Sequence, residues 1–210
     1  MTRFLVVLIA SLLAASCADK AVRANIAVTH ALPAMGSAKT IAIVPYTESL
    51  SAAPDYQSHV AKLSAHLQQK GYTVVPQSGG PAPDYLAFFL YRIDGGTPVN
   101  QLEGRAAPNT GSIITYGLRT AFSTSTRRVY MRAVTVEIVD RARFRPNEPN
   151  SLLEARVYSG SVVSDGPCST MAPVIDPMLT ALFADFPGQS GGIRTIDIPA
   201  DTACGLDRLG

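Results

Sequence analysis

The sequence predicts an α/β (α+β) fold: a two-layer sandwich in which a mixed five- to seven-stranded sheet carries two helices on one face. Three observations lead there. Strand-like and helix-like runs follow one another as β-α-β-β, an insertion, then β-β-α-β, the order of an α/β layer architecture. Two segments carry an apolar helical stripe, while the remaining periodic runs are short, β-branched or alternating. The chain has 210 residues and is 47% hydrophobic, enough to bury one sizeable core but too short for two full domains. Charged residues are only 16% and the net charge is +2, so no general field argues for nucleic acid as a partner.

The chain opens Met1-Thr2-Arg3, and Phe4 to Ala15 is apolar except for Ser11. One cation followed by such a stretch is the layout of a secretory signal peptide. It is too short to cross a bilayer, which takes about 20 apolar residues. Leu13-Ala14-Ala15-Ser16-Cys17 resembles the lipobox of bacterial lipoproteins, with Leu13 one position further from the cysteine than the pattern has it. The resemblance implies cleavage before Cys17 and lipidation of its thiol. Ala18 rather than Asp follows, which by the same resemblance implies the periplasmic face of the outer membrane. Several acyl chains would anchor the protein stably, since each buried methylene contributes roughly 0.8 kcal/mol. The other reading is an ordinary secreted protein with Cys17 free. Residues 1–16 are thus expected as signal peptide, 17–38 as a lipidated tether in which a short strand stays open, and 39–210 as a single domain.

Within the domain, Thr40–Val44 reads as a strand bounded by Pro45. Asp55 is placed to cap a helix whose apolar stripe is Tyr56, Val60, Leu63 and Leu67, stopped at Lys70-Gly71. Tyr72–Val75 is a second strand. Asp84–Ile93 is apolar on both alternating faces, as a central strand covered by helix on one side and loop on the other requires. Residues 97–126 are rich in Gly, Pro, Ser, Thr and Asn, and are expected as an irregular insertion, either a long β-excursion or a mobile loop. Val129–Val139 and Leu153–Val163 alternate as two long strands joined by a polar connection. A second helix is expected over about Pro173–Phe186, its start open between Pro173 and Pro177, where Asp176 could cap it, and Ile193–Ile198 is a last strand.

Setting Cys17 aside leaves Cys168 and Cys204, an even pair that an oxidising periplasm would join. A bridge closing a loop of about 35 residues would contribute roughly 3–4 kcal/mol on the chain-entropy account. The other reading is two thiols. Neither cysteine has a CxxC partner or a histidine at ligand spacing, so no metal and no cofactor is expected.

Enzyme signals are thin. Gly188-Gln189-Ser190-Gly191-Gly192 formally matches a nucleophile elbow, but it follows a helix and leads into a strand, the reverse of the required order. Ser190 is therefore a candidate nucleophile in form only. His30 falls in the expected tether, and His59 and His66 lie about two helical turns apart without a third ligand. The arginines carry more. Fourteen of the eighteen basic residues are Arg, and eight arginines against four acids between Arg119 and Arg156 leave a local charge of +4. Guanidinium groups grip phosphate and carboxylate in a planar fork, so Arg127, Arg128, Arg141, Arg143 and Arg145 are candidate contacts to an anionic partner. The alternative is a solvated rim of strand ends.

From Lys39 onward the chain resembles bacterial envelope lipoproteins that share a domain of unknown function (the DUF4136-like lipoproteins). The stretches that carry the resemblance are TIAIVP (40–45), DYQSHVAKLSAHLQQKGYTVVP (55–76), PDYLAFFLYRID (83–94), YMRAVTVEIVD (130–140), EARVYSGSV (154–162) and LFADFPGQSGG (182–192). All are packing motifs. The resemblance implies an α/β lipoprotein domain of unassigned activity, and it carries no functional residues over. Three functions are consistent with these observations. The first is a non-enzymatic, lipid-anchored module that meets an envelope protein, peptidoglycan or lipopolysaccharide. The second is a small-ligand binder with 97–126 as a lid over Tyr91, Ile93 and Tyr130. The third is a hydrolase using Ser190.

Overall fold

A computed structural model describes residues 21–32, 39–106 and 120–199. In chain order the elements are β1 (Ala21–His30), β2 (Lys39–Pro45), α1 (Glu48–Ser51), α2 (Tyr56–Gln69), β3 (Tyr72–Val74), β4 (Tyr85–Ile93), β5 (Thr97–Ala106), β6 (Thr120–Asp140), α3 (Ser151–Ala155), β7 (Arg156–Gly166), α4 (Ile175–Phe183) and β8 (Gly192–Pro199). Among the described residues the strands form one eight-stranded mixed sheet in the order β3-β2-β4-β6-β7-β1-β8, with β5 paired to β6. The pairs β3/β2 and β2/β4 are parallel, and all others are antiparallel. Helices α2 and α4 pack on one face, giving the two-layer α/β sandwich.

The core lies between that face and the two helices. Phe89, Val134, Val136, Ile138 and Val162 from the central strands meet Leu63, Leu67, Ile175, Leu179 and Leu182. In α2 the buried stripe is Tyr56, His59, Leu63 and Leu67, so His59 is buried where the apolar period points to Val60, which is half-buried. Pro177 lies in the first turn of α4, where a missing N–H costs no intrahelical bond. On the reverse face a smaller cluster of Ala42, Leu86, Phe88, Val139 and Ala155 is covered by Phe144 and Leu152 of the β6–β7 connection. Strand β4 is therefore covered on both sides, as its unbroken apolar run requires.

Three expectations are refined by the structure. First, residues 21–30 of the expected tether form β1, an inner strand paired with both β7 and β8. Its alternation is real: Ala24, Ile26 and Val28 are buried, whereas Arg23, Asn25, Ala27 and Thr29 are exposed. Alanine on both faces hides that period from a hydrophobicity reading. Second, of the two readings of 97–126 the β-excursion holds among the described residues, because Thr97–Ala106 pairs antiparallel with Thr120–Val129. With β1 and β5 added, the sheet exceeds the expected five to seven strands. Third, the strand expected from Leu153 begins later. Ser151–Ala155 forms a helical turn after Asn150 (φ 68°), and the strand runs from Arg156.

Candidate functional site

Strands β4 and β5 are one long strand interrupted at Asp94-Gly95-Gly96. Ile93 pairs with Arg132 and Thr97 pairs with Val129, so three residues on this side oppose two on β6, a one-residue bulge. The Asp94 carboxylate pins it by accepting the backbone N–H of Gly96 (3.0 Å) and of Met131 (2.9 Å). Gly96 has φ +74°, and a Cβ there would lie 2.6 Å from Cε1 of Tyr130, so backbone conformation and close approach both demand glycine. The Arg128 guanidinium donates from Nη1 to the carbonyls of Gly95 (3.3 Å) and Gly96 (3.5 Å). Beyond this hinge the ladder continues from Thr97↔Val129 to Ala106↔Thr120. At about 3.4 Å per residue the arm is roughly 30 Å long. Among the described residues, no third strand joins it.

A polar knot lies where α2 meets β4. Asp55 makes no side-chain cap bond. Its carboxylate instead accepts the Tyr91 hydroxyl (2.7 Å) and the Nε2–H of His59 (3.0 Å). The rings of His59 and Tyr91 meet edge-on at 4.6 Å. His59 is 1% exposed, and its Nδ1 has no hydrogen-bond partner among the described residues. Burial lowers the His59 pKa, against the opposing pull of the Asp55 carboxylate. The contact has ion-pair distance, yet the ring is neutral at neutral pH, and we read it as a hydrogen bond from a neutral imidazole. Burial pushes the Asp55 carboxyl up, but the Tyr91 hydroxyl and His59 together hold it below its usual range. Tyr91 is raised, first by burial and then by its bond to Asp55. With its hydroxyl so engaged and 8% of its surface exposed, Tyr91 does not line an open pocket beneath the ribbon. Tyr130 covers Gly96 instead.

His66 belongs to a different contact, facing Asp176 (3.3 Å) and stacking on Phe183. Among the described residues no three His, Cys, Asp or Glu side chains gather as a metal site. His30 closes β1 rather than lying in a tether. Its main-chain N–H donates to Ser190 Oγ (3.1 Å), and its ring donates from Nε2 to the Gly188 carbonyl (2.9 Å). The Ser190–His30 contact thus joins hydroxyl to main chain, not hydroxyl to ring, and ties the α4–β8 loop to β1.

The five candidate arginines do not form one patch. Arg127 and Arg128 lie at the root of the ribbon, while Arg141, Arg143 and Arg145 follow the far end of β6, about 40 Å away along the strand. Arg143 donates to the Glu154 carbonyl, and Arg145 donates to the carbonyls of Ala142 (2.7 Å) and Phe144 (3.1 Å). Those two fasten the β6–β7 connection. Arg141 lines a cleft of about 420 Å³ together with Lys39, Pro83, Asp84 and Asp140. Asp84 accepts the backbone N–H (2.8 Å) and hydroxyl (3.0 Å) of Thr40, which hold its carboxyl below the usual range. Asp140 accepts the N–H of Ala142 (2.9 Å). The cleft's two cations make no side-chain hydrogen bond among the described residues.

Cys17 and Cys204 lie outside the described residues, and Cys168 is buried in the core. Sequence reasoning missed the bulge, the Asp55–Tyr91 bond and Lys39. Asp94-Gly95-Gly96 reads as a turn, and only the β-capable run after it could have signalled a continuing strand.

No family model matches the chain, and no curated protein matches it. The likeness to DUF4136-like lipoproteins therefore rests on the sequence motifs alone. Among solved structures, a PDZ domain protein from Parabacteroides distasonis is similar over 83% of this chain, at 12% identity and a TM-score of 0.47. The chain spans 39% of that protein's length. A PelC dodecamer from Paraburkholderia phytofirmans is similar over 80% of this chain and 99% of its own, at 15% identity and a TM-score of 0.42.

Proposed function

We propose that this protein is a non-enzymatic lipoprotein of the bacterial outer membrane, held at the periplasmic face by lipid on Cys17. It acts as an interaction module for another envelope component: a protein, peptidoglycan or lipopolysaccharide. The observation that carries the reading is the β5–β6 ribbon, a roughly 30 Å arm on a pinned hinge whose length no other described element covers. A two-stranded ribbon is marginally stable by itself in water, and a partner that packs on it supplies what the domain does not. The leader and the lipobox-like Leu13–Cys17 support the anchor. Arg141 and Lys39 in the cleft offer a second contact for an anionic group.

A photo-cross-linker at Thr126, which is exposed in the ribbon, tests the module in intact cells. One dominant cross-linked envelope component is expected, lost when the ribbon is cut back to a turn joining Asn100 to Thr126, which keeps the cross-linker and removes the arm beyond it. A pattern unchanged by that shortening counts against the ribbon. Cys17→Ser is expected to move the protein to the soluble periplasmic fraction. A Cys168–Cys204 disulfide is part of the same proposal, and denatured, non-reduced mature protein should then take up thiol label at neither position.

A further inference from the structure

Arg132 lies in the inner part of β6, opposite Ile93 on β4 and Ser164 on β7, one step inside the ribbon's hinge. It is completely buried, and Nε, Nη1 and Nη2 all lack a hydrogen-bond partner among the described residues. Arginine does not escape such a position by losing its proton, and an unpaired buried charge is strongly destabilising. The acid that acts on it electrostatically, Asp165, is exposed and is paired in register with Met131, so it belongs to the other face of the sheet. Ser164 directs its hydroxyl to the Met178 sulfur (3.6 Å).

Room for the guanidinium is nevertheless built in. A Cβ on Gly166 would lie 2.5 Å from Nη2, 3.2 Å from Cζ and 3.3 Å from Nη1, so the Nη2 edge of the group comes up against the glycine. A side chain at 166 would displace Nη2 from this position. The fold thus shapes a place for a planar cation and supplies no bonded counter-charge among its described residues. A fork of this kind matches a carboxylate or a halide, and its complete burial limits the occupant to a few atoms.

We propose that Arg132 and the Gly166 cradle form a buried site for a compact anion, chloride or a carboxylate of acetate size. The site is independent of the envelope partner proposed above. Thermal unfolding of the mature domain in sodium gluconate, with chloride or acetate substituted at constant ionic strength, tests it. Tm should rise along a saturating one-site curve with at least one of them, by about 5–10 °C at a hundredfold excess over Kd. Arg132→Met should abolish the rise and, in gluconate, melt no lower than the parent, because it removes an unpaired buried charge. A parent Tm indifferent to both anions overturns the proposal, as does an equal response in Arg132→Met. Should that variant fail to fold, parent crystals grown in bromide decide: an anomalous peak within hydrogen-bond reach of Arg132 supports the site, and its absence there refutes it.

Discussion

Strand β6 passes through two environments. From Tyr130 to Asp140 it lies between β4 and β7 in the middle of the sheet, and Val134, Val136 and Ile138 are fully buried under the helices. From Thr120 to Val129 it is half of a two-stranded ribbon. Burying each apolar side chain of the inner part stabilises by about 1.5–3 kcal/mol. A ladder hydrogen bond nets roughly 1 kcal/mol after its exchange with water. The inner half holds the fold, and the outer half is held by its hinge. The largest effect should therefore come from Ile138→Ala, at about 2–5 kcal/mol of unfolding free energy. Thr126→Ala in the ribbon should remain within about 0.5 kcal/mol. Urea titrations of both compare the two halves directly, and similar losses would break the contrast.

The hinge comes next in size. Asp94→Ala removes the acceptor for two backbone N–H groups, and a loss of about 1–2 kcal/mol is expected. Gly96→Ala meets both the positive φ and the Tyr130 ring, and should cost about 1–3 kcal/mol. Hydrogen exchange sharpens the point. Either change should speed exchange of β5 amides beyond Thr97 far more than that of β4 amides at Ala87 and Phe89, because the ribbon opens separately from the sheet. Uniform acceleration would mean that ribbon and sheet unfold as one unit.

What was legible in the sequence divides along the same line. Where a strand or helix has one buried face, the period is written in the residues, and β4, β6 from Val129 onward, α2 and α4 could be read from it. In β1, alanine sits on both the buried and the exposed side, so the alternation fades although the strand is an inner one. Among the described residues the ribbon has no third strand or helix against it, so nothing there requires an apolar alternation and its composition resembles a loop. The polar contacts were illegible for another reason. Asp55 is spaced like a helix cap, but its partner Tyr91 lies 36 residues away, and only the packing of α2 on β4 brings them together. The arginines were read as a cluster because they are close in sequence, yet twelve strand residues separate Arg128 from Arg141. Arg132, within that same run, differs from them by being on the buried face.

The smallest expected effect concerns the knot that joins α2 to the inner sheet. Burial sets the His59 pKa in the fold below its ordinary value of 6.5. Below about 6.5 the unfolded chain takes up a proton that the folded ring refuses, so acidification favours unfolding. His59 contributes its full stability above the unfolded value, and that contribution falls as pH drops towards the folded one. Asp55 acts in a separate, lower window. Its folded pKa lies below 3.8, so its contribution holds above that value and is lost as pH falls through the folded pKa. Urea midpoints at pH 7.5 and 5.5 should therefore decline with acid in the parent, and the slope should flatten in His59→Asn, even though that variant is less stable at both. The sign decides between two kinds of contact. A charged His59–Asp55 pair would raise the folded His59 pKa and make the protein more stable as pH falls from 7.5. A neutral, buried imidazole donating to the carboxylate makes it less stable.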